Sequence, residues 1–148
     1  MRIIAGKARG TKLYTLEGEN TRPTLDRVKE SLFNIIQDQI QDTCFLDLFS
    51  GSGAIGLEAL SRSAKNTILC DNSKEACHII QQNIDKTHLS ENVEIYRMDF
   101  RKVLKDKITD KLDIVFLHAP YKADFARGAM GVGSREELLS GDAMIIIE

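Results

Sequence analysis

Two short stretches of this chain carry residue types that could do chemistry at the ends of predicted strands. The stretch LHAPYK ends an apolar run with His118, Ala119, Pro120 and Tyr121. A strand that delivers a histidine, a proline and a tyrosine into a loop can present catalytic groups to a substrate. The same residue types are also common where an ordinary strand ends. Both interpretations are open from these residues alone.

The second stretch, LDLFSGSGAIGLEAL, has three glycines in the spacing GxGxxG between a predicted strand and a predicted helix. Glycine lets the backbone turn sharply and approach a ligand closely, and the helix beyond the turn presents free N–H groups. Asp71 ends the next predicted strand 20 residues after Gly51, which is where nucleotide folds place a ribose-binding acid. The pattern predicts a nucleotide cofactor site, and the alternative is a turn that only packs helix on strand.

Acidic residues near the turn bear on which cofactor would bind. Asp47 ends the first strand, where a carboxylate would repel the pyrophosphate of a dinucleotide. It suits S-adenosylmethionine (SAM), which carries an ammonium and a sulfonium. We expect Asp71 to accept hydrogen bonds from the ribose and Asp99 to accept one from the adenine amino group. An NAD(P)-dependent oxidoreductase is the alternative, supported by GxGxxG alone. The predicted cofactor-binding residues are Asp47, Phe49, Gly51, Ser52, Gly53, Asp71, Asn72, Asp99 and Phe100.

Alternating strands and helices must position these residues. The first predicted helix spans residues 21–40, with an apolar stripe of Val28, Leu32, Ile35, Ile36 and Ile40. After it come strands at 44–49, 67–71, 93–98, 112–117 and 143–148, and helices at 54–63, 73–87 and 101–108. This order indicates an α/β fold with a mostly parallel sheet and helices on both faces. Such sheets bind ligands at the carboxyl ends of their strands, which is where the aspartates fall.

Length and composition set the broad class. The chain has 148 residues, 43% hydrophobic and 28% charged, which is typical of one globular domain. No apolar run approaches the roughly 20 residues that cross a bilayer, and the N-terminus lacks the apolar core of a signal peptide, so we predict a cytoplasmic protein without a membrane partner. Cys44, Cys70 and Cys77 have neither metal-ligand nor disulfide spacing, which predicts buried reduced thiols and no metal site.

Charge is unevenly distributed along the chain. Residues 1–29 carry seven basic and three acidic side chains, although the whole chain has a net charge of −2. A basic N-terminal segment suggests a polyanionic partner, because phosphate contacts supply most of the sequence-independent affinity for nucleic acids. The alternative is a solvated N-terminal segment. Gly6 and Gly10 interrupt short alternating stretches there, which fits an irregular hairpin or an extended arm.

Taken together, these segments resemble the RsmD family of bacterial 16S ribosomal RNA (guanine-N2)-methyltransferases. The stretches RIIAGKARGTKL, TRPTLDRVKESLFNII and LDLFSGSGAIGLEALSR match the family's N-terminal arm, first-helix signature and cofactor motif. The resemblance implies a Rossmann-like SAM-dependent methyltransferase domain over residues 23–148. It also implies that a basic arm over residues 1–22 faces ribosomal RNA of the small subunit. The predicted RNA-binding residues are Arg2, Lys7, Arg9, Lys12, Arg22 and Arg27.

The stretch after the fourth strand departs from the family pattern, in which Asp-Pro-Pro-Tyr holds and orients the target amino group. This chain has His118, Ala119, Pro120 and Tyr121 instead. Tyr121 keeps the ring that stacks on an extruded base, and Ala119 keeps a backbone carbonyl. A neutral imidazole offers one acceptor nitrogen and a protonated one offers none, so His118 is an inferior replacement for aspartate. An active methyltransferase and a SAM- or RNA-binding relative that no longer methylates both remain open.

The C-terminal part departs from the pattern as well. Gly128, Gly131 and Gly133 lie where a helix is expected, and each glycine costs about 1 kcal/mol relative to alanine inside a helix. Folds of this type continue with two strands beyond the fifth, which we expect to be lacking here. The apolar fifth strand would then leave an open edge. Either the sequence is truncated or a partner covers this edge, for example in a dimer, and both interpretations are open.

Overall fold

The computed structural model describes residues 1–16, 22–117, 121–123, 125–126 and 138–147, with residues 22–25 described in the backbone only. Helices and strands alternate along this part of the chain. The helices are α1 (Arg22–Ile36), α2 (Ala54–Ser61), α3 (Lys74–Thr87) and α4 (Phe100–Asp106), and the strands are β1 (Cys44–Asp47), β2 (Asn66–Cys70), β3 (Val93–Tyr96), β4 (Leu112–Leu117) and β5 (Leu139–Ile147). None of the helices described is long and apolar enough to span a membrane.

The five strands form one sheet in the order β3-β2-β1-β4-β5, and every neighbouring pair is parallel. The chain moves outward from β1 to β3 and then returns to the other side of β1 for β4. The strand order therefore reverses between β1 and β4, and ligands bind open α/β sheets outside the carboxyl ends of the strands at such a point. This topology brings the glycine-rich turn after β1 beside the end of β4.

Helices cover both faces of the sheet, as predicted. Because side chains alternate along a strand, neighbouring residues of β1 face opposite layers. On one face, Val103 and Leu104 of α4 pack against Leu46 and Val115 of the sheet. The other face packs against α1 and α2, and its buried cluster is formed by Phe33, Ile36, Ile40, Phe45, Ala59, Ala64, Ile114 and Phe116. The predicted Rossmann-like fold is confirmed.

Close contact between α2 and β2 fixes where the glycine turn lies. A Cβ atom added at Gly56 would come within 2.1 Å of Leu69 Cδ2 and 3.1 Å of Thr67 Cγ2, so any larger residue would force the buried Leu69 side chain to shift. The third glycine of GxGxxG therefore serves packing. Because of this close packing at Gly56, the N-terminal end of α2 lies directly against the sheet, at the carboxyl edge of β1 and β2.

The N-terminal residues form an irregular hairpin that is part of the core. Arg2 pairs with Lys12 in an antiparallel bridge. Between them, Ile3, Ala8 and Leu13 are buried in one cluster with residues of α2 and α3. The backbone of residues 1–16 is therefore packed against the core, while the choice between a polyanionic partner and simple solvation of its charges stays open. From here on, 'the arm' means residues 1–16, the part of the predicted arm over residues 1–22 that the structure describes.

Two details of the predicted elements are wrong. Ile35 is 79% exposed, because the buried side of α1 passes through Lys29, Phe33 and Ile36 and turns Ile35 outward. Strand β5 begins at Leu139, four residues before the predicted start, and pairs with β4 through a register shift between Leu112 and Ile114. Among the described residues, no strand pairs with the outer edge of β5. The predicted dimer through that edge stays a prediction.

Candidate cofactor and substrate site

The glycine-rich turn is held in place by Asp71. The N–H of Gly51 donates to Asp71 Oδ2 at 2.9 Å, and the N–H of Ser73 donates to Asp71 Oδ1 at 2.9 Å. One carboxylate thereby connects the turn after β1 with the start of α3, and Asn72 beside it is exposed. Each carboxylate oxygen retains a further acceptor site, so contact between Asp71 and a ribose stays a prediction.

Serine side chains and carbonyls complete the turn. Ser50 Oγ donates to the Asp47 carbonyl at 3.0 Å and accepts from the Cys70 N–H at 3.0 Å. The N–H of Gly53 donates to the Ser50 carbonyl at 2.7 Å, and Gly53 has a φ of 84°. Ser52 is 4% exposed, so the whole residue is buried within the turn.

Three carboxylates predicted for the cofactor site all raise the pKa of the Cys70 thiol. Burial is the main cause that raises the pKa of Cys70 to about 12, and the charges of Asp71, Asp47 and Asp99 contribute to this shift in that order. Asp47 itself is 1% exposed and accepts a hydrogen bond from the Phe49 N–H at 3.1 Å. The fields of these carboxylates converge at the carboxyl edge of the sheet. A negative potential there fits a cationic ligand and opposes a pyrophosphate.

Asp99 caps α4 and pairs with Arg101. Its Oδ1 accepts from the backbone N–H of Arg101 at 2.9 Å and from Arg101 Nε at 2.8 Å, while Oδ2 accepts from Nη2 at 2.8 Å. The hydrogen bonds from the Arg101 side chain are the main reason why the pKa of Asp99 falls to about 2. The carboxylate is therefore ionised at neutral pH. Its predicted contact with an adenine amino group stays a prediction.

An aromatic cluster of Phe49, Phe100 and Tyr121 lies at the same edge. The rings of Phe49 and Tyr121 are stacked, with centroids 4.5 Å apart, and Phe100 lies 5.4 Å from Phe49 and 6.1 Å from Tyr121. Tyr121 is 41% exposed. Phe49 and Phe100, which are predicted to bind the cofactor, are therefore in contact with Tyr121, which is predicted to stack on a substrate base. His118, Ala119 and Pro120 lie outside the described residues.

The predicted RNA-binding residues on the arm face solvent. Arg2, Lys7, Arg9 and Lys12 are exposed, as is Arg27 on α1. Residues between them, such as Ile3 and Ala8, are buried, so the arm presents its charges outward from a fixed backbone. Arg22 begins α1, and its side chain lies outside the described residues.

A buried ionic cluster that sequence reasoning missed holds the arm against α1 and α2. Glu58 of α2 is fully buried, and its carboxylate accepts from the backbone N–H groups of Ile4 at 2.8 Å and Ala5 at 3.1 Å. Lys29 Nζ lies 3.2 Å and Arg62 Nε 2.8 Å from the same carboxylate. Burial lowers the pKa of Lys29, and the charge of Glu58 opposes that shift. The signal in the sequence is a lone charge inside the apolar helix AIGLEALS.

The cysteines and acidic residues show no metal chemistry in the part of the chain that is described. No group of three or more His, Cys, Asp or Glu residues within it could hold a metal ion. Cys44 and Cys70 are buried, Cys77 is half-buried, and all three are free. The predicted burial is confirmed for Cys44 and Cys70 and is wrong for Cys77, which is half-buried. That the thiols are reduced stays a prediction.

Comparisons with known proteins cover the whole chain. A family model described as Conserved hypothetical protein 95 matches residues 1–148. Ribosomal RNA small subunit methyltransferase D of Haemophilus influenzae is 37% identical, over 100% of this chain and 78% of the relative. The protein of the same name from Escherichia coli (strain K12) is 34% identical, over 100% and 74%. The solved structure of Escherichia coli yhhF, described as a candidate methyltransferase, has a TM-score of 0.79 and 29% identity, over 99% of this chain and 78% of that chain.

These comparisons agree with the motifs and with the fold. The family model spans the arm, the first-helix signature and the cofactor motif, and the solved structure shares the arrangement of sheet and helices. Matches over the whole chain by two relatives above 30% identity leave no segment of the sequence outside the comparison. The chain belongs to the Conserved hypothetical protein 95 family, which is the RsmD family that its motifs resemble.

Proposed function

We propose that the chain is a SAM-dependent methyltransferase that acts on the exocyclic N2 amine of a guanine in small-subunit ribosomal RNA. The observation that carries the proposal is the contact between Phe49, Phe100 and Tyr121 beside the glycine turn. This contact supports the proposal, because the Tyr121 ring, which is suited to stacking on a base, lies beside two residues that we expect to contact the cofactor. The relatives named as small-subunit rRNA methyltransferases support the choice of substrate.

The acidic edge of the sheet supports SAM as the cofactor. SAM would supply an electrophilic methyl group on a sulfonium. The buried carboxylate of Asp47 and the field of Asp71 favour a ligand with positive charge. Asp71 already fixes the Gly51 N–H, so the same group that shapes the turn would accept from the ribose. Phe49 and Phe100 would flank the adenine.

The exposed basic side chains of the arm support an RNA substrate. Arg2, Lys7, Arg9 and Lys12 project from a backbone that is anchored to the core, so phosphate contacts would be made by a rigid surface. Such contacts orient a nucleic acid and give affinity that falls with salt. Tyr121, with 41% of its surface exposed, would stack on the extruded guanine.

The segment His118 to Tyr121 sets how fast this chain would react. Methyl transfer to an aromatic amine depends on alignment of its lone pair, and an aspartate that orients the amine is replaced here by His118. Loss of one preorganised group of this kind costs on the order of 100-fold to 1000-fold in rate. We therefore propose a slow enzyme, and the second candidate is a relative that binds SAM or RNA without methylating.

A transfer assay tests this proposal. Purified chain and radiolabelled SAM are incubated with undermethylated small ribosomal subunits, and label in the RNA is counted. The double variant His118→Asp with Ala119→Pro should be on the order of 100-fold faster than the original chain. The control is His88→Asp, which makes the same change at an exposed histidine at the far end of α3. Equal rates for the original chain and the double variant would show that His118 is a competent replacement.

A melting experiment tests the cofactor separately. Ligand at 100 times its dissociation constant stabilises a folded protein by about 2.7 kcal/mol, so SAM should raise the melting temperature by several degrees. NAD should leave it unchanged. Stabilisation by NAD and none by SAM would instead support the oxidoreductase alternative.

A further inference from the structure

Asn83 on α3 connects the arm with the glycine turn. It is fully buried, and its side-chain amide makes three hydrogen bonds to backbone groups. Asn83 Oδ1 accepts from the Tyr14 N–H at 2.8 Å, and Nδ2 donates to the Tyr14 carbonyl at 2.9 Å and to the Ser52 carbonyl at 2.8 Å. Both amide protons and the amide oxygen are therefore used. One side chain holds two segments that lie far apart in the sequence.

The two segments joined by Asn83 belong to different parts of the proposed site. Tyr14 follows the exposed Lys12 in the arm, and Lys86, one turn beyond Asn83 on α3, lies 4.6 Å above the Tyr14 ring. Tyr14 itself is 50% exposed. Ser52 lies between the two glycines of the turn. A polyanion that contacts Lys86 would therefore lie beside Tyr14, whose backbone N–H and carbonyl Asn83 holds.

We propose that Asn83 is a positioning residue that couples the arm to the cofactor turn, so that RNA bound along the arm tightens SAM binding. This inference rests on the proposed function of both surfaces. Without RNA, displacement of Tyr14 would free the amide of Asn83 to move, and the Ser52 carbonyl would lose a buried donor. RNA bound along the arm would oppose this displacement, so the turn would stay in the conformation that binds SAM. Because coupling between two ligands is reciprocal, SAM should tighten RNA binding by the same factor.

Ser61 provides a matched control within the same arm. It is also fully buried, and its hydroxyl accepts from the Ala8 N–H at 2.9 Å and donates to the Ala5 carbonyl at 2.7 Å. Like Asn83, it holds backbone groups of the arm from a helix. No hydrogen bond described for it reaches the glycine turn. Loosening the arm at Ser61 should therefore leave the cofactor surface intact.

Titration calorimetry tests the coupling. SAM is titrated into the original chain, Asn83→Ala, Asn83→Asp and Ser61→Ala, each with and without an RNA hairpin of small-subunit sequence. Asn83→Ala should weaken SAM binding about 10-fold, as expected for loss of a buried hydrogen bond, and remove the effect of RNA. Asn83→Asp keeps the acceptor for the Tyr14 N–H and loses both donated bonds, so it should show the same defect. Ser61→Ala should stay within about twofold of the original chain.

Hydrogen exchange by mass spectrometry separates this inference from the proposed function. Without any ligand, Asn83→Ala should speed amide exchange in both the arm and the turn peptide around Ser52, whereas Ser61→Ala should speed it in the arm alone. Failure of the original chain to bind SAM would refute the proposed cofactor and leave this readout valid. Unchanged exchange at the turn in Asn83→Ala, or RNA coupling that survives in both Asn83 variants, would overturn the inference.

Discussion

Replacing Glu58 by alanine removes the acceptor on which four donors converge. The carboxylate is fully buried and accepts from the Ile4 and Ala5 N–H groups, and it pairs with Lys29 and Arg62. Removal of one partner from a buried ion pair costs about 3–5 kcal/mol, because the remaining charge stays uncompensated. We therefore expect Glu58→Ala to lower the free energy of unfolding by about 3–5 kcal/mol.

The loss of unfolding free energy in Glu58→Ala cannot exceed that range by much, because the arm can lift from α2 instead of leaving its N–H groups buried without acceptors. The N–H groups of Ile4 and Ala5 would each cost about 1–3 kcal/mol if they stayed buried without an acceptor. If the arm lifts from α2, water satisfies the N–H groups of Ile4 and Ala5 and reaches Lys29. The protein then loses instead the burial of apolar arm residues such as Ile3. Either response is a large fraction of a typical stability of about 5–15 kcal/mol.

Urea denaturation followed by circular dichroism measures this loss. The control is Glu91→Ala, because Glu91 is exposed and its removal should change the free energy of unfolding by no more than about 0.5 kcal/mol. The double variant Lys29→Met with Glu58→Gln should lose less unfolding free energy than the sum of the losses in the two single variants. The reason is that the uncharged methionine side chain can be buried without a partner. A Glu58→Ala protein within about 1 kcal/mol of the original chain would refute the reasoning that this cluster holds the arm.

Three further predictions concern the arm, the Asp99 cap and the cofactor turn. Gly6→Ala would bring a Cβ within 2.0 Å of the Ser61 carbonyl oxygen at a φ of 89°, so the arm should lift and be cleaved faster by trypsin; an unchanged digestion rate would contradict this. Arg101→Gln should raise the pKa of Asp99 from about 2 towards the ordinary value of about 4, as measured by NMR titration. Because the folded pKa is depressed, the stability from this pair is present above about pH 4 and is lost as the pH falls towards 2. Asp71→Asn should weaken SAM binding about 10-fold, since a charged acceptor is lost, and unchanged affinity by calorimetry would exclude Asp71 from the site.

Local patterns in the sequence predicted the elements that position the site. The apolar runs at 44–49 and 112–117 and the glycine spacing between strand and helix depend on short-range periodicity, which the letters display directly. Asp71 could be paired with Gly51 because strand and helix lengths fix their separation along the chain. In the structure the N–H of Gly51 donates a hydrogen bond to the Asp71 carboxylate at 2.9 Å.

The side chains that fasten the arm could not be found in this way. Glu58 contacts Ile4 across 54 residues and Asn83 contacts Tyr14 across 69 residues, and no periodicity connects such positions. Hydrophobic spacing alone also misread α1, where the buried side includes the charged Lys29 and excludes Ile35. A buried charge needs a partner from another element, and that partner becomes visible only in three dimensions.

The early start of β5 has a similar origin. Ser140, Gly141 and Asp142 have the composition of a turn, yet they belong to the strand because Leu139 pairs with Leu112 before a register shift. These three residues lie in the shift itself, between Leu139, which pairs with Leu112, and Met144, which pairs with Ile114. The strand starts early because Leu139 pairs with β4, which no local pattern indicates. Residues 127–137, and with them the predicted effect of Gly128, Gly131 and Gly133 on a helix, lie outside the described residues.

The most direct test of the proposed function is nucleoside mass spectrometry of small-subunit RNA. Undermethylated subunits are incubated with the original chain and SAM, the RNA is digested, and methylated guanosines are quantified. We predict that N2-methylguanosine accumulates only when both chain and SAM are present, and faster with His118→Asp and Ala119→Pro. Methylation of another atom, or none with either protein although both bind SAM, would contradict the proposal that this site transfers a methyl group to the guanine N2 amine.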